Sequence, residues 1–197
     1  SGADDLETLS VDFKSDDEPT LTTAETTALR YDADAFVAED KGDLDVSGLA
    51  NLTSVTVSGT AGDINIDANP NLTTVTISAD AKDLYLVDND NMTSVTVTGA
   101  KFGSIEVSGN ADLATATLNS TTALRSTSTT AAEKSVTLNV NANPELTSLT
   151  ASMDDVSGLI VKANAKLATV DFTGMADDGS TTTGSYAHIF NNNLTFD

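Results

Sequence analysis

The chain has 197 residues, enough for one sizeable domain or two small ones, and its 39% apolar and 5% aromatic residues call for a core of Val, Leu, Ile and Ala. With 30 acidic against 9 basic residues the formal charge is −21, which argues against nucleic acid and against insertion into or binding to an anionic membrane. There is no Cys, so disulfide staples and thiolate metal sites are excluded, and no apolar window reaches the roughly 18 residues of a membrane span.

The opening SGADDLETLS has neither the basic region nor the apolar stretch of a signal peptide and reads as a mature or trimmed N-terminus. Leu6 to Phe13 (LETLSVDF) alternates as a strand does, with Leu6, Leu9 and Val11 on the inward side. Thr23 to Phe36 (TAETTALRYDADAF) fits a short helix or an irregular coil. Residues 1–42 are therefore expected to form an N-terminal cap and irregular first coil, closing one end of the repetitive region that begins at residue 43.

From residue 43 to 197 one phrase recurs, clearest in NPNLTTVTIS (Asn69 to Ser78). Its Leu has equivalents at Leu52, Leu72, Met92, Leu113, Leu146, Leu167 and Leu194, separated by 20, 20, 21, 33, 21 and 27 residues. Three residues before this anchor stand Asn69, Asn89, Asn110, Asn143, Asn164 and Asn191, with Leu49 as the exception. Apolar pairs flank it on both sides, such as Ile64/Ile66 before Leu72 and Val75/Ile77 after it. Each unit reads as a strand, an Asn-centred corner and a second strand. Some 20–21 residues cannot hold a strand and a full helix, but they fit one coil of an all-β parallel β-solenoid, or β-helix, with coils about 4.8 Å apart. The Asn rank is expected to take the left-handed backbone angles of the corner, and to hydrogen-bond the Asn one coil away. Two long spacings mark loop insertions near residues 119–135 and 174–185.

The pattern I-x-I-x-x-N-P-x-L-T-x-V-x-V, at Ile64 to Ile77 and again at Leu138 to Ala151, resembles receptor L domains and related bacterial leucine-rich surface proteins. The similarity covers Asp43 to Phe172, and departs in its shorter, Thr-rich repeats and its lack of Cys. The resemblance implies a right-handed solenoid with Asn-bearing corners and an extracellular binding or structural role. It brings no catalytic residues.

Chemistry is sparse. The single His188 has neither a second His nor any Cys to make a zinc site or a triad, and no nucleophile elbow or phosphate-cradling glycine loop is present. Asp43, Asp45, Asp63 and Asp67 are spaced to crowd one face, as oxygen ligands for Ca²⁺ or as a solvated acidic surface. Five N-glycosylation sequons begin at Asn51, Asn71, Asn91, Asn119 and Asn193.

The second strand of each coil sends out hydroxyls: Ser54 and Thr56, Thr74 and Thr76, Ser94 and Thr96, Thr115 and Thr117, then Ser148 and Thr150. Stacked, they form flat ranks about 4.8 Å apart between coils and nearly 7 Å apart along a strand. The high strand propensity of Thr explains part of this, and Asp171 interrupts the central rank. The sequence thus predicts a non-enzymatic, exported structural or adhesive module on a cell or virion surface. Its expected partners are copies of itself or other surface proteins. The alternatives are ice binding through the threonine ranks and a carbohydrate-active β-helix enzyme, the latter opposed by scarce aromatics and no acid/base pair.

Overall fold

The computed structural model describes residues 6–13, 20–21, 30–32, 42–100, 102–120, 136–153, 156–172, 186–190 and 192–194. These residues form sixteen strands in two sheets and no helix. The first sheet holds β1 (Thr8–Phe13), β2 (Thr20–Leu21), β5 (Ser54–Gly59), β7 (Thr74–Ile77), β9 (Ser94–Ala100), β11 (Thr115–Ser120), β13 (Ser148–Met153) and β15 (Thr169–Asp171). The second holds β3 (Arg30–Asp32), β4 (Asp43–Ser47), β6 (Ile64–Asp67), β8 (Asp83–Val87), β10 (Ser104–Ser108), β12 (Val136–Asn141), β14 (Val156–Lys162) and β16 (Tyr186–Phe190). From β4 on, successive strands alternate between the sheets, so that each coil gives one strand to each, and seven strands of each pair in parallel, which is the expected parallel β-solenoid.

The pairing register is that of the repeat. Val55, Val75 and Val95 stand opposite one another, as do Leu44, Ile64 and Leu84 in the other sheet. Inward residues up to β14 are buried, those of the last coil such as Val170 and Ile189 partly so, and Leu52, Leu72, Met92, Leu113, Leu146 and Leu167 are each 0% exposed. Each such side chain stabilises by about 1.5–3 kcal/mol on burial, available only once a neighbouring coil covers it. Phe102 fills the far corner of its coil, where the preceding coils carry Ala61 and Ala81, and is also wholly buried.

Near the N-terminus, β1 is a regular parallel rung on β5, with Leu6, Leu9, Val11 and Phe13 buried as the alternation predicts. β2 and β3 add antiparallel strands that end the two parallel ladders. Arg30–Asp32 is therefore a strand where a helix over Thr23 to Phe36 was one expectation; the rest of that stretch lies outside the described residues. β11 runs through Ser120, so Asn119 belongs to a rung, while the remainder of both expected insertions also falls outside them.

Two expectations for the corner are corrected. The left-handed residue is the one before each Asn, or before Leu49 in the first coil: Gly48, Ala68, Asp88, Gly109, Ala142 and Ala163 all have φ between 52° and 71°. The Asn that follows points inward instead, because the chain needs its amide there more than its backbone tolerance. In the last coil the rank is held by Asn192 and not Asn191: Asn192 Oδ1 accepts from the Asn164 N–H at 3.0 Å. That coil is one residue out of the spacing that Leu194 suggests.

Candidate binding face

The corner begins with a turn in which the anchor N–H donates to the carbonyl three residues earlier, as from Leu72 to Asn69 at 3.2 Å and from Leu146 to Asn143 at 3.2 Å. Pro70 and Pro144 occupy the second turn position, where their fixed φ is already correct. Below the turn the buried asparagines form a continuous ladder. Asn89 Oδ1 accepts from the backbone N–H and the side-chain Nδ2 of Asn69, each at 3.1 Å. Asn89 Nδ2 in turn donates to Ile66 O at 2.8 Å and Val87 O at 3.1 Å. The same arrangement repeats at Asn110, Asn143 and Asn164. Buried polar atoms are thus satisfied by their own copies one coil away.

The ladder also accounts for Leu49. Asn69 Nδ2 donates to Val46 O, a carbonyl of the parallel strand one coil below. Beneath β4 lies antiparallel β3, which presents no such strand, so an Asn at position 49 would bury a donor without its acceptor. Leu49 keeps only the backbone part, its N–H donating to Asn69 Oδ1 at 3.0 Å.

A second ladder, not anticipated from sequence, flanks the hydroxyl sheet. The hydroxyls of Thr53, Thr73, Thr93 and Thr147 each donate to a carbonyl of the coil below, at 2.8–3.2 Å. Asn71 and Asn91 donate likewise to Ala50 O and Pro70 O. The Asn-x-Thr phrase is thus a corner-locking device as well as a sequon, a role visible only once adjacent coils are superposed.

Clamped along this edge, the first sheet presents its outward hydroxyls in register. Thr56, Thr76, Thr96, Thr117 and Thr150 pair in sequence from β5 to β13, giving an unbroken central threonine rank. The neighbouring rank alternates: Thr8, Ser54, Thr74, Ser94, Thr115, Ser148, Thr169. Thr8, Thr74, Thr115 and Thr169 in it are exposed and every Ser from Ser54 on is half-buried, so the rank has a relief that follows the Thr/Ser alternation. A third rank holds Ser58, Ser78, Thr98, Asn119 and Ser152. From β5 to β13 no outward position is charged; Asp12 and Asp171 appear only in the flanking rungs.

The second sheet carries the charge. Asp43, Asp63 and Asp83 stand in one outward rank, with the Asp63 N–H donating to Asp43 Oδ1 at 2.7 Å and Ser104 Oγ donating to Asp83 at 2.8 Å. Asp45 faces Asn65 in the next rank, and Asp67 faces Ser47 in the third. The four candidate calcium ligands thus spread over three ranks along an open depression that also includes Tyr85 and Asp88. Among the described residues no three His, Asp or Glu side chains converge as a metal-ligand set. Burial, then the carboxylates of Asp83 and Asp63, and that of Glu106, raise the Tyr85 pKa against a hydrogen bond with Ser104 that lowers it. His188 lies opposite Ile160 on the outermost strand of this sheet.

Comparison with protein-family models, curated proteins and solved structures finds no match to this chain.

Proposed function

We propose that the chain is a non-enzymatic, exported structural or adhesive module, a subunit of a surface layer, filament, adhesin or virion, that meets its partner through the hydroxyl sheet. The observation carrying this reading is the segregation of charge. A protein of net charge −21 keeps the outward positions of five successive rungs free of any ionised side chain. Solubility alone gives no reason for that, since exposed strand positions accept Lys, Glu and Asp readily. A stiff stack with one neutral, flat face suits display or lateral packing, and the repeat-level resemblance to receptor L domains points the same way. Catalysis has little to draw on: the only histidine sits at an outer edge strand, and the acidic depression lacks a second functional partner type.

The test is an interaction screen of immobilised protein against glycans, ice and its own soluble form, with and without Ca²⁺. At least one interaction is expected, and Thr56→Lys with Thr76→Lys should abolish it while leaving the circular dichroism spectrum unchanged. Interactions that all survive a charged face would refute the reading. Ice binding stays as a second reading because the central rank is pure threonine over five rungs at a fixed spacing. Thermal hysteresis that the same two substitutions remove would establish it.

A further inference from the structure

Building on the reading of the hydroxyl sheet as the partner-facing surface, we infer that its occupant is the same sheet of a second copy, packed face to face about a twofold axis. Charge comes first. Two bodies of charge −21 that met through their second sheets would set stacked carboxylates against one another within the ~8 Å Debye length of physiological salt. Through the hydroxyl sheets they approach with no ionised group on the facing rungs β5 to β11.

The relief of the face is the second reason. An axis lying in the face along the strand direction, between β7 and β9, sets Thr74 of one copy against Ser94 of the other, and Ser54 against Thr115. The extra methyl of each Thr meets the shorter side chain of a Ser at each step of the alternating rank. Thr76 then lies against Thr96, and hydroxyls can donate and accept across the contact in either direction. The same operator is its own inverse, as an isologous contact requires.

Area fixes the regime. Strands about 17 Å long over the four rungs β5 to β11, about 4.8 Å apart, offer roughly 330 Å² of footprint per copy. That is about 650 Å² in all, below the ~1,000 Å² expected of a stable dimer. The contact is therefore weak between free molecules and effective where copies are held at high density, as in a layer or filament.

Sedimentation equilibrium of the full chain over a hundredfold concentration range reads the contact directly. Because salt screens body–body repulsion and a neutral interface has no attraction to lose, association should strengthen about tenfold between ~0.05 and ~0.5 M NaCl, the reverse of an ion-paired interface. Thr76→Asp with Thr96→Asp should weaken it at least tenfold, and Asn65→Asp with Asn139→Asp, the same added charge on the other sheet, should change it less than about threefold. Register is tested separately. The chain has no Cys, so Thr76→Cys and Thr96→Cys chains mixed in equal amounts and oxidised should give mostly the mixed disulfide dimer.

Monomer at every concentration and salt, equal loss in both Asp pairs, or a statistical distribution of disulfides would overturn the inference. If the chain stays monomeric yet loses glycan or ice binding when the face is charged, this inference fails and the broader reading stands. If charging the face changes nothing, both fail.

Discussion

At the scale of single residues the corner separates two tasks that the sequence pattern assigns to one position. The backbone strain falls on Ala68, Asp88, Ala142 and Ala163, each in the left-handed region without a glycine's freedom, at a cost of about 1–3 kcal/mol per site. The asparagine after each one offsets that cost by joining three segments of chain. Asn89→Ala would strand the Asn69 N–H and take a donor from Ile66 O and Val87 O, and each unsatisfied buried group costs about 1–3 kcal/mol. A loss of about 3 kcal/mol or more is expected by urea denaturation, while Asn91→Ala, on the exposed side of the same turn, should cost less than about 1.5 kcal/mol. Gly59 is constrained differently: at φ 89° a Cβ there would lie 1.6 Å from Phe13 O, so no side chain fits without moving β1.

At the scale of the coil, the unit behaves as a removable part. Leu72 and Met92 occupy equivalent places, so excising residues 73–92 joins Leu72 to Thr93 with register, ladder and core intact. The shortened chain should fold cooperatively, with a lower urea midpoint and an m-value reduced roughly in proportion to the surface removed. Removing 73–82 alone would deliver β8 to the hydroxyl sheet and should yield no folded protein by circular dichroism. The coil was legible in the sequence because period-two alternation and a fixed Asn position are both local patterns. What stayed hidden was relational. The donor of Thr73 finds Thr53 O only across twenty residues, and the shift from Asn191 to Asn192 depends on which amide reaches Asn164. The hydroxyl ranks were legible as rows of residues, but their relief emerged only from the exposure of each Thr and Ser in the stack. The spread of Asp43, Asp45, Asp63 and Asp67 over three ranks likewise depends on strand register, since nearness in sequence places Asp67 two pleats away from Asp63.

For the whole molecule the two sheets divide the electrostatic load, the first uncharged outward from β5 to β13 and the second acidic from β4 to β10. Self-repulsion at −21 opposes compaction, and screening relieves it. The melting temperature should therefore rise by several degrees between ~0.01 and ~0.5 M NaCl, since about 1 kcal/mol moves Tm by roughly 2–4 °C in a chain of this size. A flat or falling profile in differential scanning calorimetry would mean that the carboxylate ranks are held by attractions that salt weakens.

The amide ladder has a direction, and that direction has a consequence for biosynthesis. Each asparagine leans on a carbonyl already laid down and leaves its own N–H for the oxygen of the turn still to come. A chain emerging N-terminus first thus finishes its base and then seals every turn with the next, like masonry in which each course locks the one beneath. Ribosome-stalled chains ending after Leu113 should already protect their first turns from protease; full susceptibility until the final turn emerged would show that the stack closes all at once.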